Sequence, residues 1–262
     1  MKQRTTIDAG AIVYVIESAV KKQQSEKQPR AKKSKPSSES TRLRNKIKSE
    51  NQLEMMLAVN FPTPESGNFV TLTFDDAHLP KSRKQVLGRL YYFLNRKDNP
   101  RSLRSVAERA GRPRPRAIFA IESLSSVSQR WHVHMVVDSS VDVETIRACW
   151  FYGDNIEFER LRLDGEEDYK ALARYLNKES REAQDWTAKP GQHAWGYTQN
   201  CLRPEIDVQI VDSGAKLRAP RNATVLVHER RETVYDEITV LKYRLPPSCF
   251  RNGVRRRRRR RR

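Results

Sequence analysis

The chain has 262 residues, 37% of them hydrophobic and 32% charged, with a formal net charge of +19. That apolar fraction is lean for a chain folded throughout, and it predicts one compact core flanked by basic extensions. Cys149, Cys201 and Cys249 share no CxxC spacing, which excludes a disulfide framework and a thiolate zinc site; the longest apolar run, Ala11–Ile16, excludes a bilayer-spanning helix.

The N-terminus lacks a signal-peptide layout, so a soluble, intracellular protein in a reducing setting is expected. Residues 8–20 carry an apolar stretch, from Ile12 to Val20, that reads as a short helix or strand. Residues 21–40 hold Lys, Ser, Gln and Pro with almost nothing to bury, the composition of a flexible linker. Helical spacing returns over residues 41–58 through Leu43, Ile47, Met56 and Leu57. Residues 1–67 are therefore expected to form a basic, largely disordered extension with short helices. The charge is concentrated: eleven Lys or Arg between Lys21 and Lys48, set against Glu26, Glu39 and Glu50, together with the eight of Arg255–Arg262, supply sixteen of the nineteen net charges. A polyanion suits such segments, because each neutralised phosphate releases condensed counterions.

A folded domain is expected over residues 68–205. In FVTLTF, Val70, Leu72 and Phe74 alternate with Thr71 and Thr73, the period of a half-buried strand. Arg83–Asn95 reads as an amphipathic helix and Arg101–Arg116 as a basic loop or broken helix. AIFAIE (Ala117–Glu122) and Trp131–Val137 read as strands, followed by helices over Val141–Phe151 and Glu166–Arg181. Residues 206–250 are expected to be a β-rich extension, since EIDVQIV, ATVLVHE and EITVLKY read as strands, and residues 251–262 a disordered poly-arginine tail. This order of elements predicts an α+β fold with a mostly antiparallel sheet.

Two strings carry chemistry. In WHVHMVVD, Trp131, Val133, Met135 and Val137 take one face of a strand, so His132 and His134 share the other and can offer two imidazoles to one divalent cation. If the strand of Glu122 pairs with theirs, its carboxylate supplies a third donor; imidazole favours zinc, while carboxylate and phosphate oxygens favour Mg2+ or Mn2+. In ARYLNKES, Tyr175 borders the apolar stripe of a helix, with Lys178 one turn on. A phenol with an ordinary pKa near 10 is a weak nucleophile at neutral pH, so it needs a cation that favours phenolate.

FVTLTF, the HxH strand and the YxxK helix, in this order, resemble the HUH endonucleases, and specifically the rolling-circle replication initiators of small phages, plasmids and integrated elements. The resemblance implies a five-stranded antiparallel sheet with flanking helices and the histidine strand at its centre. It implies His132, His134 and Glu122 as ligands of Mg2+ or Mn2+, Tyr175 as nucleophile and Lys178 as its partner. It also implies nicking and joining of single-stranded DNA at an origin through a 5′-phosphotyrosine, in a bacterial host's cytoplasm. Trp195 and Tyr197, in HAWGYTQNCLRP, would stack on bases, and Arg174, beside the nucleophile, would contact the DNA. Ala171 stands where two-tyrosine initiators carry a second tyrosine, and Tyr169 is about 240° around the helix from Tyr175, so a single-tyrosine enzyme is expected. Ending a replication round would then need a second subunit or reuse of the tyrosine. Without a GxxxxGK[ST] loop, unwinding falls to a host helicase, and synthesis to a host polymerase.

Two other readings compete. A single-tyrosine transposase or relaxase uses the same chemistry, although such transposases usually carry glutamine in the tyrosine motif, and the lysine here favours replication. In a non-catalytic nucleic-acid-binding protein, the basic segments bind phosphate and the histidines are incidental.

Overall fold

The structure is a computed structural model that describes residues 1–20, 39–123, 130–163, 168–177, 194–232, 237–246, 249–251 and 254–255. The basic linker of residues 21–38, Lys178 and the arginine tail from residue 256 lie outside these residues. In chain order the elements are β1 (Lys2–Ala9), β2 (Ile12–Ala19), α1 (Glu39–Asn60), β3 (Gly67–Leu72), α2 (Arg83–Asn95), α3 (Leu103–Arg109), β4 (Ala117–Ser123), β5 (Trp131–Asp138), α4 (Val143–Cys149), β6 (Ile156–Arg160), α5 (Lys170–Leu176), β7 (Trp195–Tyr197), β8 (Glu205–Val211), β9 (Thr224–Glu232), β10 (Glu237–Arg244), β11 (Phe250–Arg251) and β12 (Val254–Arg255). The fold is α+β, with two antiparallel five-stranded sheets where the sequence predicted one.

The chain divides into two compact units. The first comprises Met1–Val59, Gly165–Asp168 and Arg203–Arg262, and the second Asn60–Asp164 and Tyr169–Leu202. This corrects the expected organisation. The first twenty residues are a β-hairpin rather than a disordered extension, and they share one sheet, in the order β8-β1-β2-β10-β9, with strands expected to form a separate C-terminal extension. The hairpin turns at Gly10, whose φ of 77° favours a residue without a side chain, and whose N–H donates to Asp8 Oδ1 at 3.0 Å. Its partner strands lie about two hundred residues away, a pairing that no local pattern announces. On one face of this sheet Val13, Val15, Leu241, Tyr243 and Leu245 form a core. On the other, Lys242 of β10 makes buried ion pairs with Glu54 of α1 and with Asp168.

The sheet of the second unit runs β6-β3-β5-β4-β7, every neighbour antiparallel. The alternating apolar positions of β3, β4 and β5 (Val70, Leu72; Ala117, Phe119, Ile121; Val133, Met135, Val137) turn to one face and pack against α2 and α4 through Val86, Leu90, Phe93, Leu94 and Ile146. Each large apolar side chain so buried contributes roughly 1.5–3 kcal/mol. The helix starts follow capping chemistry: Ser82, Ser102 and Asp142 accept hydrogen bonds from the backbone N–H of Gln85, Ser105 and Thr145. Strands β6 and β7, five and three residues long, were not read from the sequence, and α3 falls within the segment read as a loop or broken helix.

At the sheet edge, Gly196 sits opposite Phe119, and a Cβ there would come within 2.7 Å of the Phe119 ring. Gly196→Ala is therefore expected to force that core ring aside and destabilise the protein by about 1–3 kcal/mol, measured by denaturant unfolding.

Candidate functional site

The chemistry lies on the face of the second sheet opposite this helical core. Strand alternation gives that face Phe69 and Thr71 of β3, His132, His134 and Val136 of β5, Ile118, Ala120 and Glu122 of β4, and Glu157 of β6. Directly opposite residues of an antiparallel pair share a face, so the register sets the layout. One row crosses the sheet as Glu157, Thr71, His134, Ala120 and Trp195. In the next, His132 faces Glu122.

His134 is at the centre and only 6% exposed. One ring nitrogen, Nδ1, is 3.2 Å from Thr71 Oγ1, and the other, Nε2, is 2.8 Å from Glu122 Oε2. The imidazole is thus held in one orientation by a group on each side, an arrangement that fixes which nitrogen a ligand meets. Phe69 stacks alongside the ring, with centroids 5.9 Å apart.

The short helix α5 supplies the phenol. Tyr169, Ala173 and Leu176, at positions i, i+4 and i+7, are buried, and this stripe anchors the helix. Tyr169 caps the helix instead of lying within it, and its hydroxyl donates to the Phe61 carbonyl at 2.6 Å. A phenol spent in this way is no second nucleophile. Tyr175 lies off the stripe, 47% exposed, its ring edge-on to His134 at 5.2 Å and to Phe69 at 6.2 Å between centroids.

Electrostatics refine the sequence reading. The Tyr175 phenol is pushed up from its ordinary value, first by burial and then by the carboxylates of Glu122 and Glu157. Its described surroundings therefore disfavour the phenolate, contrary to the help expected from Lys178, which lies outside the described residues. Burial, reinforced by His134, lowers His132 against the opposing pull of Glu122 and Glu157, leaving a neutral imidazole with a free lone pair.

Among the described residues no three His, Cys, Asp or Glu side chains are already gathered as a ligand cage. The donor set nevertheless fits a hard or borderline divalent cation. Two imidazoles and a carboxylate share one patch of one face, and Thr71 can accept from Nδ1–H when Nε2 is engaged.

Trp195 and Tyr197 on β7 are half-buried, their rings 5.9 Å apart, and the register sets Trp195 in the His134 row, separated from it by Ala120. Arg174 is exposed next to Tyr175. Thr71, Phe69 and Glu157 were not singled out from the sequence. Thr71 and Phe69 could have been found from the alternation of FVTLTF, whereas Glu157 needed the pairing of β6 with β3. No helix among the described residues is long and apolar enough to cross a membrane. Compared with protein-family models, curated proteins and solved structures, the chain matches none.

Proposed function

We propose that the protein is a tyrosine endonuclease that nicks and rejoins single-stranded DNA, in the manner of rolling-circle replication initiators. The observation that carries this reading is the meeting of the Tyr175 ring with His134, itself held between Thr71 and Glu122, although helix and strand are some forty residues apart in sequence. His132, His134 and Glu122 would hold Mg2+ or Mn2+, and the bound cation would supply charge to offset the carboxylates that raise the phenol and to polarise a backbone phosphate.

Tyr175 Oη attacks the phosphorus, forming a phosphotyrosine bond while the bond to the 3′ oxygen breaks. One proton leaves the phenol and one is gained by the departing 3′ oxygen. A phosphodiester is exchanged for a phosphodiester, so no nucleotide is consumed and the strand can be rejoined. Phe69 and His134 fix the phenol ring by packing. Trp195 and Tyr197 offer aromatic faces for neighbouring bases, and Arg174 offers charge to the backbone. Opening of duplex and synthesis from the 3′ hydroxyl would fall to a host helicase and polymerase.

With Mn2+ and a randomised pool of single-stranded oligonucleotides, the full chain is expected to form a protein–DNA adduct that survives denaturing electrophoresis. The double variant His132→Ala, His134→Ala should weaken Mn2+ binding by calorimetry at least about tenfold and abolish the adduct. A wild-type chain that binds the pool but forms no adduct, and whose binding ignores Mn2+, is a nucleic-acid-binding protein and not an endonuclease.

A further inference from the structure

We propose that β8 is the two-fold interface of a homodimer, in which two copies of the first unit join edge to edge into a ten-stranded sheet. Among the described residues β8 ends its sheet, paired with β1 alone. Ile206, Val208 and Ile210 alternate along it on one face and are 67%, 55% and 53% exposed. A long edge strand with an open backbone and a bare apolar face invites pairing with another chain, and proteins usually block it with charge, proline or a bulge.

The other edge of the same sheet shows that protection. The second half of β9 carries His228, Glu229 and Arg230, all exposed. β8 lacks it: its only charges, Glu205 and Asp207, alternate onto the opposite face from the apolar residues, and Asp207 Oδ2 already accepts from Gln209 Nε2 at 2.6 Å.

The occupant is read from the symmetry of the strand. In an antiparallel pair centred on Val208, Val208 meets its own copy, Ile206 meets Ile210, Asp207 meets Gln209, and Glu205 meets Val211. Each member of the exposed apolar row faces another member of that row, and no carboxylate faces a carboxylate. A segment that complements itself in this way fits an isologous two-fold contact, the commonest arrangement in soluble oligomers. The surface continues beyond the strand, because register places Ile7 beside Ile206, and Tyr14 beside Ile7, on the same face. On α1, Leu43 and Ile47 stand eleven and seven residues before Glu54, within about 20° of it around the helix. They lie on the stripe that puts Glu54 against Lys242, yet they are exposed.

The test uses the full chain, nuclease-treated and in high salt so that nucleic acid cannot bridge its basic segments. Light scattering after size exclusion at micromolar concentration should give twice the chain mass. Val208→Lys, which puts two ammonium groups on the axis, should give the single mass with an unchanged circular dichroism spectrum. Val208→Cys should form an interchain disulfide on mild oxidation that the wild type does not form, since directly opposed strand residues have the Cα spacing a disulfide needs. A wild type that is monomeric, or a cysteine variant that fails to cross-link while the protein is dimeric, overturns the proposal.

Discussion

Tyr175→Phe is expected to abolish the covalent DNA adduct, lowering its rate of formation by at least about 10³-fold, while single-strand affinity changes less than about threefold. The substitution removes one oxygen from a half-exposed ring and keeps its edge-on packing against His134 and Phe69, so neither the helix nor the aromatic contacts are disturbed. The pH dependence carries a definite sign. Burial and the carboxylates of Glu122 and Glu157 raise the phenol, so the phenolate is scarcer than in free tyrosine at neutral pH, and adduct formation should accelerate as pH rises from 6 to 9. A Tyr175→Phe variant that retains most of the adduct, or transfer to a different tyrosine mapped by peptide sequencing, would discard the assignment of the nucleophile.

Lys242→Ala should cost about 3–5 kcal/mol, a large fraction of the 5–15 kcal/mol that stabilises a typical domain. The Lys242 ammonium lies buried between Glu54 and Asp168, both also buried, so its removal takes away the positive charge that two buried carboxylates share. Burial by itself depresses the ammonium, but the combined pull of Glu54 and Asp168 outweighs it and holds Lys242 above the ordinary lysine value. A group raised on folding contributes its full stability below the unfolded value, near 10.4, and loses it as pH rises through the folded one. The difference between wild type and Lys242→Ala in urea unfolding should therefore be constant from pH 7 to 9 and shrink only in strongly alkaline solution. Replacing Lys242, Glu54 and Asp168 together by apolar residues of similar volume should recover most of the loss. A single-variant loss below about 1 kcal/mol would show that water reaches these groups.

The parts of this fold that were legible in the sequence are those whose signal is local. Arg83–Asn95 has strong apolar periodicity and a serine cap, and the helix spans the predicted residues. Alternation placed His132 and His134 opposite Val133 and Met135, and the structure keeps that division. Alternation could not say how the donors combine: Glu122 lies opposite His132 in register, yet its carboxylate turns to His134. The rest depended on distant partners. The hairpin of β1 and β2 gains its sheet only from β8 and β10, so the apolar stretch from Ile12 to Val20 showed in the sequence without its partners. The bond from the Tyr169 hydroxyl to the Phe61 carbonyl spans 108 residues of chain and has no local signal.

The second unit begins and ends at one clasp. Asn60, fully buried, donates from Nδ2 to the Leu202 carbonyl at 3.0 Å and accepts at Oδ1 from the Leu202 N–H at 2.8 Å. A segment whose two ends are stapled together can be excised, circularly permuted or spliced into a loop of a foreign host protein with little closure entropy to supply. The candidate catalytic face would travel whole with such a cassette, which would also carry Asp168 away from Lys242 of the first unit.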